Sequence, residues 1–287
     1  MIKEKVEGLV IPKGSINRRG FMKTAGVTGL AVAAGATMVG KLPKVFASGN
    51  GINDFDILNF ALNLEYLEAE FYTVATTGKT LAQTGGFTLN GAGTRGMTSG
   101  GNKVDFSGTT SLPVAAIAAQ IAADEQTHVK YIQAAIGQFG GQFIAEPSIN
   151  LDALGTGFES VDAFLTVARA LEDIGVSAYG GAAPLINNRT VLGAAARILA
   201  TEAEHSGNIR LQVATLNIPT SALDGVDILP PPSGSKYFSV TDNSAQTQIR
   251  TPGQVLFLAY GFKANAAAGG FFPGGVNGKI NTSSTAA

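Results

Sequence analysis

Residues 121–128 read IAADEQTH and residues 198–205 read ILATEAEH. These segments hold the only 2 histidines of a 287-residue chain. In each, a glutamate precedes the histidine by three positions: Glu125 and His128, then Glu202 and His205. Residues three apart project from one face of a helix, so each segment can aim a carboxylate and an imidazole at one point. Both lie within strongly apolar surroundings, IAAQIAADEQTHVKYIQAAI and VLGAAARILATEAEHSGNIRLQV. Carboxylates buried there would be costly and would repel one another. A pair of divalent metal ions removes both problems, and carboxylate with imidazole suits iron or manganese.

Outward from these segments, apolar spacing predicts four helices. The first covers 54–77, with Asn53 or Asp54 as its N-cap. The second runs from about Pro113 to Ile136, with Ser111 as cap and Pro113 in the first turn. The third covers Val161 to Gly181, and the fourth Thr190 to Leu216, before Pro219 stops it. Helices of about 20 residues span a bundle of about 30 Å. Glycine-rich residues 78–111 read as a long loop or a flexible hairpin. The fold expected is therefore all-α, an antiparallel four-helix bundle over 48–218 with a long glycine-rich insertion. Residues 219–287 form an irregular extension packed on the bundle, with a short fifth helix at 251–262 capped by Thr251. The pair Phe271-Phe272 is expected to plug the bundle hydrophobically.

Two helices without histidine remain to supply ligands. The third offers Glu172 in ARALEDIGVSAYGG, and the first offers Glu65, Glu68 and Glu70. An internal repeat chooses among them. LEYLEAEFY (64–72) and LEDIGVSAY (171–179) both read Leu-Glu with a tyrosine seven residues after the glutamate. Glu65 thus aligns with Glu172 and Tyr72 with Tyr179, while IAADEQTH aligns with ILATEAEH. The chain reads as a duplicated helix pair. Glu68, one turn along the same face, stands as an extra or alternative ligand, and Glu70 faces elsewhere. Tyr72 and Tyr179 either hydrogen-bond the ligands or simply pack. Asp124 and Asp173, each beside a ligand, either orient histidines of neighbouring helices or solvate the surface.

Composition bounds the chemistry. Apolar residues make up 45% and charged residues 14%, which suits a buried core. The absence of cysteine excludes disulfides, zinc-thiolate and iron–sulfur sites, and thiol catalysis. At the N-terminus, NRRGFMK (17–23) precedes an uncharged Ala/Gly/Val-rich run of 17 residues and then Val45-Phe46-Ala47. This resembles a twin-arginine export signal carrying Arg18-Arg19, with cleavage expected after Ala47 and no stable membrane anchor afterwards. Removing 1–47 takes away eight Lys/Arg and two Glu, moving the formal charge from −1 to −7. With 12 Lys/Arg left against 19 Asp/Glu, no basic balance points to nucleic acid or an anionic membrane as a partner.

One Glu from each of two helices plus Glu-x-x-His from each of two others resembles the ligand set of ferritin-like di-iron carboxylate proteins, over about residues 54–216. The exported chain with a glycine-rich GGFFPGGVNG tail is similar to the subgroup that includes desiccation-related proteins. The resemblance implies two iron ions, or manganese, held by Glu65, Glu125, His128, Glu172, Glu202 and His205 and bridged by carboxylates. It implies reaction with O2 or peroxide, as a ferroxidase or peroxide consumer protecting an extracytoplasmic, periplasmic space under stress. Without cysteine no rubredoxin or thiol relay is built in, so iron(II) or peroxide itself is the simpler reductant. Two other readings stay open: a non-enzymatic stress protein with a structural or vestigial metal site, and a manganese catalase-like enzyme. Homo-oligomers remain open as well, although the long loop and tail disfavour a storage shell.

Overall fold

Asn53 starts the first helix, α1 (Asp54–Thr77), by accepting from the N–H groups of Phe55 and Asp56. Asp56 in return accepts from the Asn53 N–H, so two otherwise orphaned donors are satisfied reciprocally. Gly78 ends the helix in the left-handed conformation, φ 75°. The coordinates are a computed structural model describing residues 51–108 and 112–287. The expected export signal at 1–47 and the Ser111 cap lie outside the described residues.

After α1 come a short α2 (Leu81–Thr84), the two-residue β1 (Thr98–Ser99) and α3 (Val114–Gln138). Then follow β2 (Ile149–Asn150), α4 (Val161–Ala182) with a 3-10 turn at Ala183–Leu185, α5 (Arg189–Thr215) and α6 (Pro252–Ala259). Pro113 sits at the N-cap of α3 without a side-chain bond, not in the first turn as expected. The fifth helix stops short, at Ala259, because Gly261 and Phe262 turn the chain with φ 75° and 63°.

The four long helices form a bundle in which α1 packs mainly on α3, and α4 mainly on α5. Their directions follow from end contacts. Gly141, just past α3, lies against Phe55 at the start of α1, so these two run antiparallel. Asp54 at the same end accepts from the N–H groups of Asn187 and Asn188, which join α4 to α5. Phe71 near the far end of α1 stacks on Phe164 near the start of α4, with ring centroids 5.5 Å apart. Each helix is therefore antiparallel to both of its neighbours, and the α3–α4 connection must cross the length of the bundle.

That crossover decides between the two readings of 78–111 in favour of a long loop: among its described residues the insertion forms no hairpin. It pairs in parallel with the crossover, Thr98 with Ile149 and Ser99 with Asn150, and Ala92 bridges Ile144. Gly96 permits the approach, since a Cβ there would lie 2.1 Å from the Ser148 nitrogen.

The extension joins the same core. Val255, Leu256, Tyr260, Phe271 and Phe272 are buried in one cluster with α1 and α4, as the plug reading of the phenylalanine pair expected. Three buried arginines tie it down. Arg169 of α4 donates to Asp227 and to the Ser221 carbonyl. Arg250 donates to both oxygens of Asp224 and to Ser177 of α4. Arg210 of α5 donates to Asp173 and to the carbonyls of Ile228, Lys236 and Tyr237. Among the described residues, no helix is long and apolar enough to cross a membrane.

Candidate metal centre

The structure brings all six aligned residues together at mid-bundle. Glu65 comes from α1, Glu125 and His128 from α3, Glu172 from α4, and Glu202 and His205 from α5. The four carboxylates are wholly buried, and His128 and His205 are only 8% and 7% exposed. The inserted loop therefore does not open the site to solvent. His128 Nδ1 lies 3.2 Å from Glu65 Oε2, 3.3 Å from Glu125 Oε2 and 3.4 Å from Glu202 Oε1. His205 Nδ1 lies 3.0 Å from Glu125 Oε1 and 3.5 Å from Glu172 Oε2.

Donor atoms within 4.8 Å of one another form three overlapping groups. One is Glu65, Glu125, His128 and Glu202; the second is Glu125, Glu172 and His205. The third is Glu68, Glu172 and Glu202, so Glu68 joins the cluster as a fifth carboxylate. Its room comes from the opposite helix. At Gly175 of α4, a Cβ would stand 2.4 Å from Glu202 Oε2 and 3.2 Å from Glu68 Oε1.

The two tyrosines sit beside carboxylates of the opposite helix pair. The Tyr179 hydroxyl donates to Glu65 Oε1. Tyr72 lies next to Glu172, and burial together with that charge holds its phenol protonated. Asp124 contacts His205 Nε2 at 3.2 Å while remaining 36% exposed, so it does meet a histidine of a neighbouring helix. Asp173 does not. It is buried and accepts from Ser206 at 2.6 Å and Arg210 at 2.7 Å, a structural pairing and not a histidine contact.

Glu70 does face away from the centre, into a feature that sequence reasoning missed. It accepts from the Leu81 N–H at 3.1 Å and faces Glu146 of the crossover, which Arg95 of the insertion clamps. Burial and the neighbouring Glu70 push Glu146 up to about 9 against the pull of Arg95. Arg95 and Glu70 lie 51 and 76 residues from Glu146, and no local pattern links them.

A model of the ferritin-like domain matches residues 53–215 of the chain. The chain belongs to the ferritin-like domain family. A search of curated proteins finds no match.

Whether this ferritin-like centre suits metal can be tested on its unsatisfied atoms. Glu65 Oε2, Glu125 Oε1, both oxygens of Glu172 and of Glu202, and His205 Nδ1 are buried without a well-formed hydrogen bond, and the only close partners of several are the histidine contacts of 3.0–3.5 Å given above. Such groups are rare in native interiors and call for an explanation. Burial, reinforced by neighbouring carboxylates, pushes Glu68 and Glu202 well above the ordinary range. Burial also lifts Glu125 to about 7 against the pull of both histidines. Burial opposes charge on His205, but Glu125 and Glu172 outweigh it and hold the ring protonated up to about 11. Without a cation, then, the cluster retains protons to limit its own repulsion. Five carboxylates and two imidazoles form a hard oxygen-and-nitrogen donor set, and cations replacing those protons would satisfy every orphaned atom at once. The residues fit a metal centre.

Proposed function

We propose that the cluster holds two iron ions, with manganese as the alternative, and that the protein consumes dioxygen or peroxide as a ferroxidase. The observation that carries this reading is the convergence of seven donors from four helices with most of their ligating atoms unpaired. Glu65 and His128 would hold one ion, Glu172 and His205 the other, and Glu125 and Glu202 would lie between them. When bound, such a pair supplies two electrons to oxygen or peroxide. The chain's own part is to exclude water, to keep the donors deprotonated once cations arrive, and to hold them in place. Tyr179 fixes Glu65, and Asp124 orients His205 through its outer nitrogen. Asp173 and Arg210, one layer out, brace α4 against α5.

Metal analysis of protein purified without added metal tests the reading, followed by Fe(II) oxidation assayed against oxygen and against peroxide. Two metals per chain and iron oxidation are expected. A chain that takes up neither iron nor manganese, and whose melting temperature ignores both, overturns it in favour of a structural stress protein. Oxygen evolution from peroxide by the manganese-loaded form moves the activity to the catalase class. The export reading predicts that Arg18→Lys with Arg19→Lys traps the protein in the cytoplasm, checked by cell fractionation.

A further inference from the structure

A second space adjoins the cluster. Between α1, α4 and the C-terminal extension lies a cavity of about 50 Å3. On the measure by which one water needs roughly 10–15 Å3, it admits a few small molecules. Its walls are aliphatic and aromatic: Leu67 of α1, Ala170 and Ile174 of α4, and Val255, Leu258 and Phe271 of the extension. Glu68 is the only ionisable side chain in its lining. At the outer end stand Leu154 and Phe262, which are 39% and 50% exposed. At the inner end stand Glu68 and Gly175, the same two residues that bound the carboxylate cluster beside Glu202. Because Gly175 has no side chain, little more than the Glu68 carboxylate separates this space from the centre.

Walls this apolar offer water few partners and favour small non-polar occupants. Peroxide and hydrated cations would leave their hydrogen bonds behind on entering it. The occupant it fits is a non-polar diatomic molecule. We propose that this cavity is the access route and holding site for dioxygen, and that the extension serves to build its outer wall. The proposal rests on the reading of the cluster as an oxygen-reactive metal centre. Val255, Leu258 and Phe271 all belong to the extension, so the bundle alone would leave this face of α1 and α4 uncovered. Glu68 then stands between an apolar space and a charged one.

The test uses the full chain, with xenon as a dioxygen-sized probe that needs no metal. Two substitutions fill the cavity from opposite walls, Ala170→Leu from the bundle and Leu258→Phe from the extension, so that misfolding of one leaves the other informative. Xenon is expected to occupy the cavity in crystals of the wild type under pressure and to be absent from both variants. In the iron-loaded protein, oxidation by oxygen is expected to slow on the order of tenfold in each folded variant. Oxidation by peroxide and the metal content should stay as in the wild type. No xenon in the wild-type cavity, or filled variants that consume oxygen at the wild-type rate, overturns the proposal. Failure of the underlying reading looks different: no metal is bound and no iron is oxidised by either oxidant, whatever xenon does.

Discussion

The two helix pairs, α1 with α3 and α4 with α5, are copies of one plan, and they differ in what each adds to it. Glu65 corresponds to Glu172, Glu125 to Glu202, His128 to His205 and Tyr72 to Tyr179, and these matched residues face one another around the centre. One layer out the copies diverge. Tyr66 accepts from Gln133 in the first pair at 2.7 Å; the corresponding residues of the second pair are Asp173 and Arg210, also at 2.7 Å. Glu68 of the first pair faces Gly175, its counterpart in the second. Glu70 anchors the insertion through Leu81, and its counterpart Ser177 anchors the extension through Arg250. A shared frame fixes the donors, and the unshared positions attach whatever each copy acquired.

The largest predicted effect comes from breaking what the pairs share. Glu125 belongs to two of the three donor groups. Glu125→Ala is expected to weaken binding of both metals by on the order of 100-fold or more, beyond the 10–100-fold loss usual for an outer residue. Metal content after dialysis against a weak chelator checks this. Retention of two metals per chain would show that Glu125 is not between them.

The next effect separates the copies. Arg210→Ala leaves Asp173 as a buried charge facing only Ser206 and the more distant Arg169, 3.5 Å away, and strips three carbonyls of their donor. The expected cost is about 3–5 kcal/mol. Gln133→Ala at the matching place removes neutral hydrogen bonds to Tyr66 and the Thr88 carbonyl, with an expected cost of about 1–3 kcal/mol. Urea unfolding of both variants measures the difference. Equal costs would mean that the ionic version of the contact adds nothing.

This asymmetry also marks what could be read from the sequence. Helical spacing, the two Glu-x-x-His segments and the repeat are local or periodic signals, and they led to the bundle, to six converging donors and to Glu68 as a seventh candidate. Pairs such as Arg95 with Glu146 or Arg169 with Asp227 join residues more than 50 positions apart and follow no period. The β1–β2 pairing is two residues long on each side, too short for alternation to register. The role of Gly175 was equally hidden, since a helical glycine shows its purpose only once Glu68 and Glu202 are seen against it.

A smaller effect tests Glu68 itself, the donor without a counterpart. Its carboxyl is held above its ordinary range of about 4.5 by burial first and by the surrounding carboxylates second. A raised acid leaves the native state unaffected below the unfolded value and destabilises it progressively as pH rises, because the unfolded chain ionises first. Glu125 and Glu202 act in the same direction, and the stabilisation from protonated His205 is likewise lost as pH rises from about 6.5 towards 11. The metal-free protein is therefore expected to melt lower at pH 8 than at pH 5. Metal binding needs deprotonated donors and so strengthens over the same range. Glu68→Gln should raise the metal-free melting temperature at pH 8 by about 5 °C, change it little at pH 5, and weaken metal uptake. A destabilised metal-free variant at pH 8 would contradict this charge balance.

The smallest effect lies at the outer edge of the histidines. His205 Nε2 meets Asp124, but the position matching Asp124 in the other copy is Thr201, whose hydroxyl bonds the Arg197 carbonyl within its own helix. Among the described residues, the His205 half alone has a carboxylate to orient its ring from behind. Because Asp124 is 36% exposed, solvent screens much of that contact. Asp124→Asn keeps the shape, removes the charge, and is expected to weaken one metal of the two by roughly tenfold, at the low end for such a partner. Titration with Fe(II) or Mn(II) should then show two unequal sites in the variant, with the His128 half unchanged. Loss spread equally over both ions would mean that Asp124 acts on the cluster's overall charge and not on one histidine. Thr201→Asp separates those alternatives further: orientation through the outer nitrogen predicts a gain at the His128 half alone.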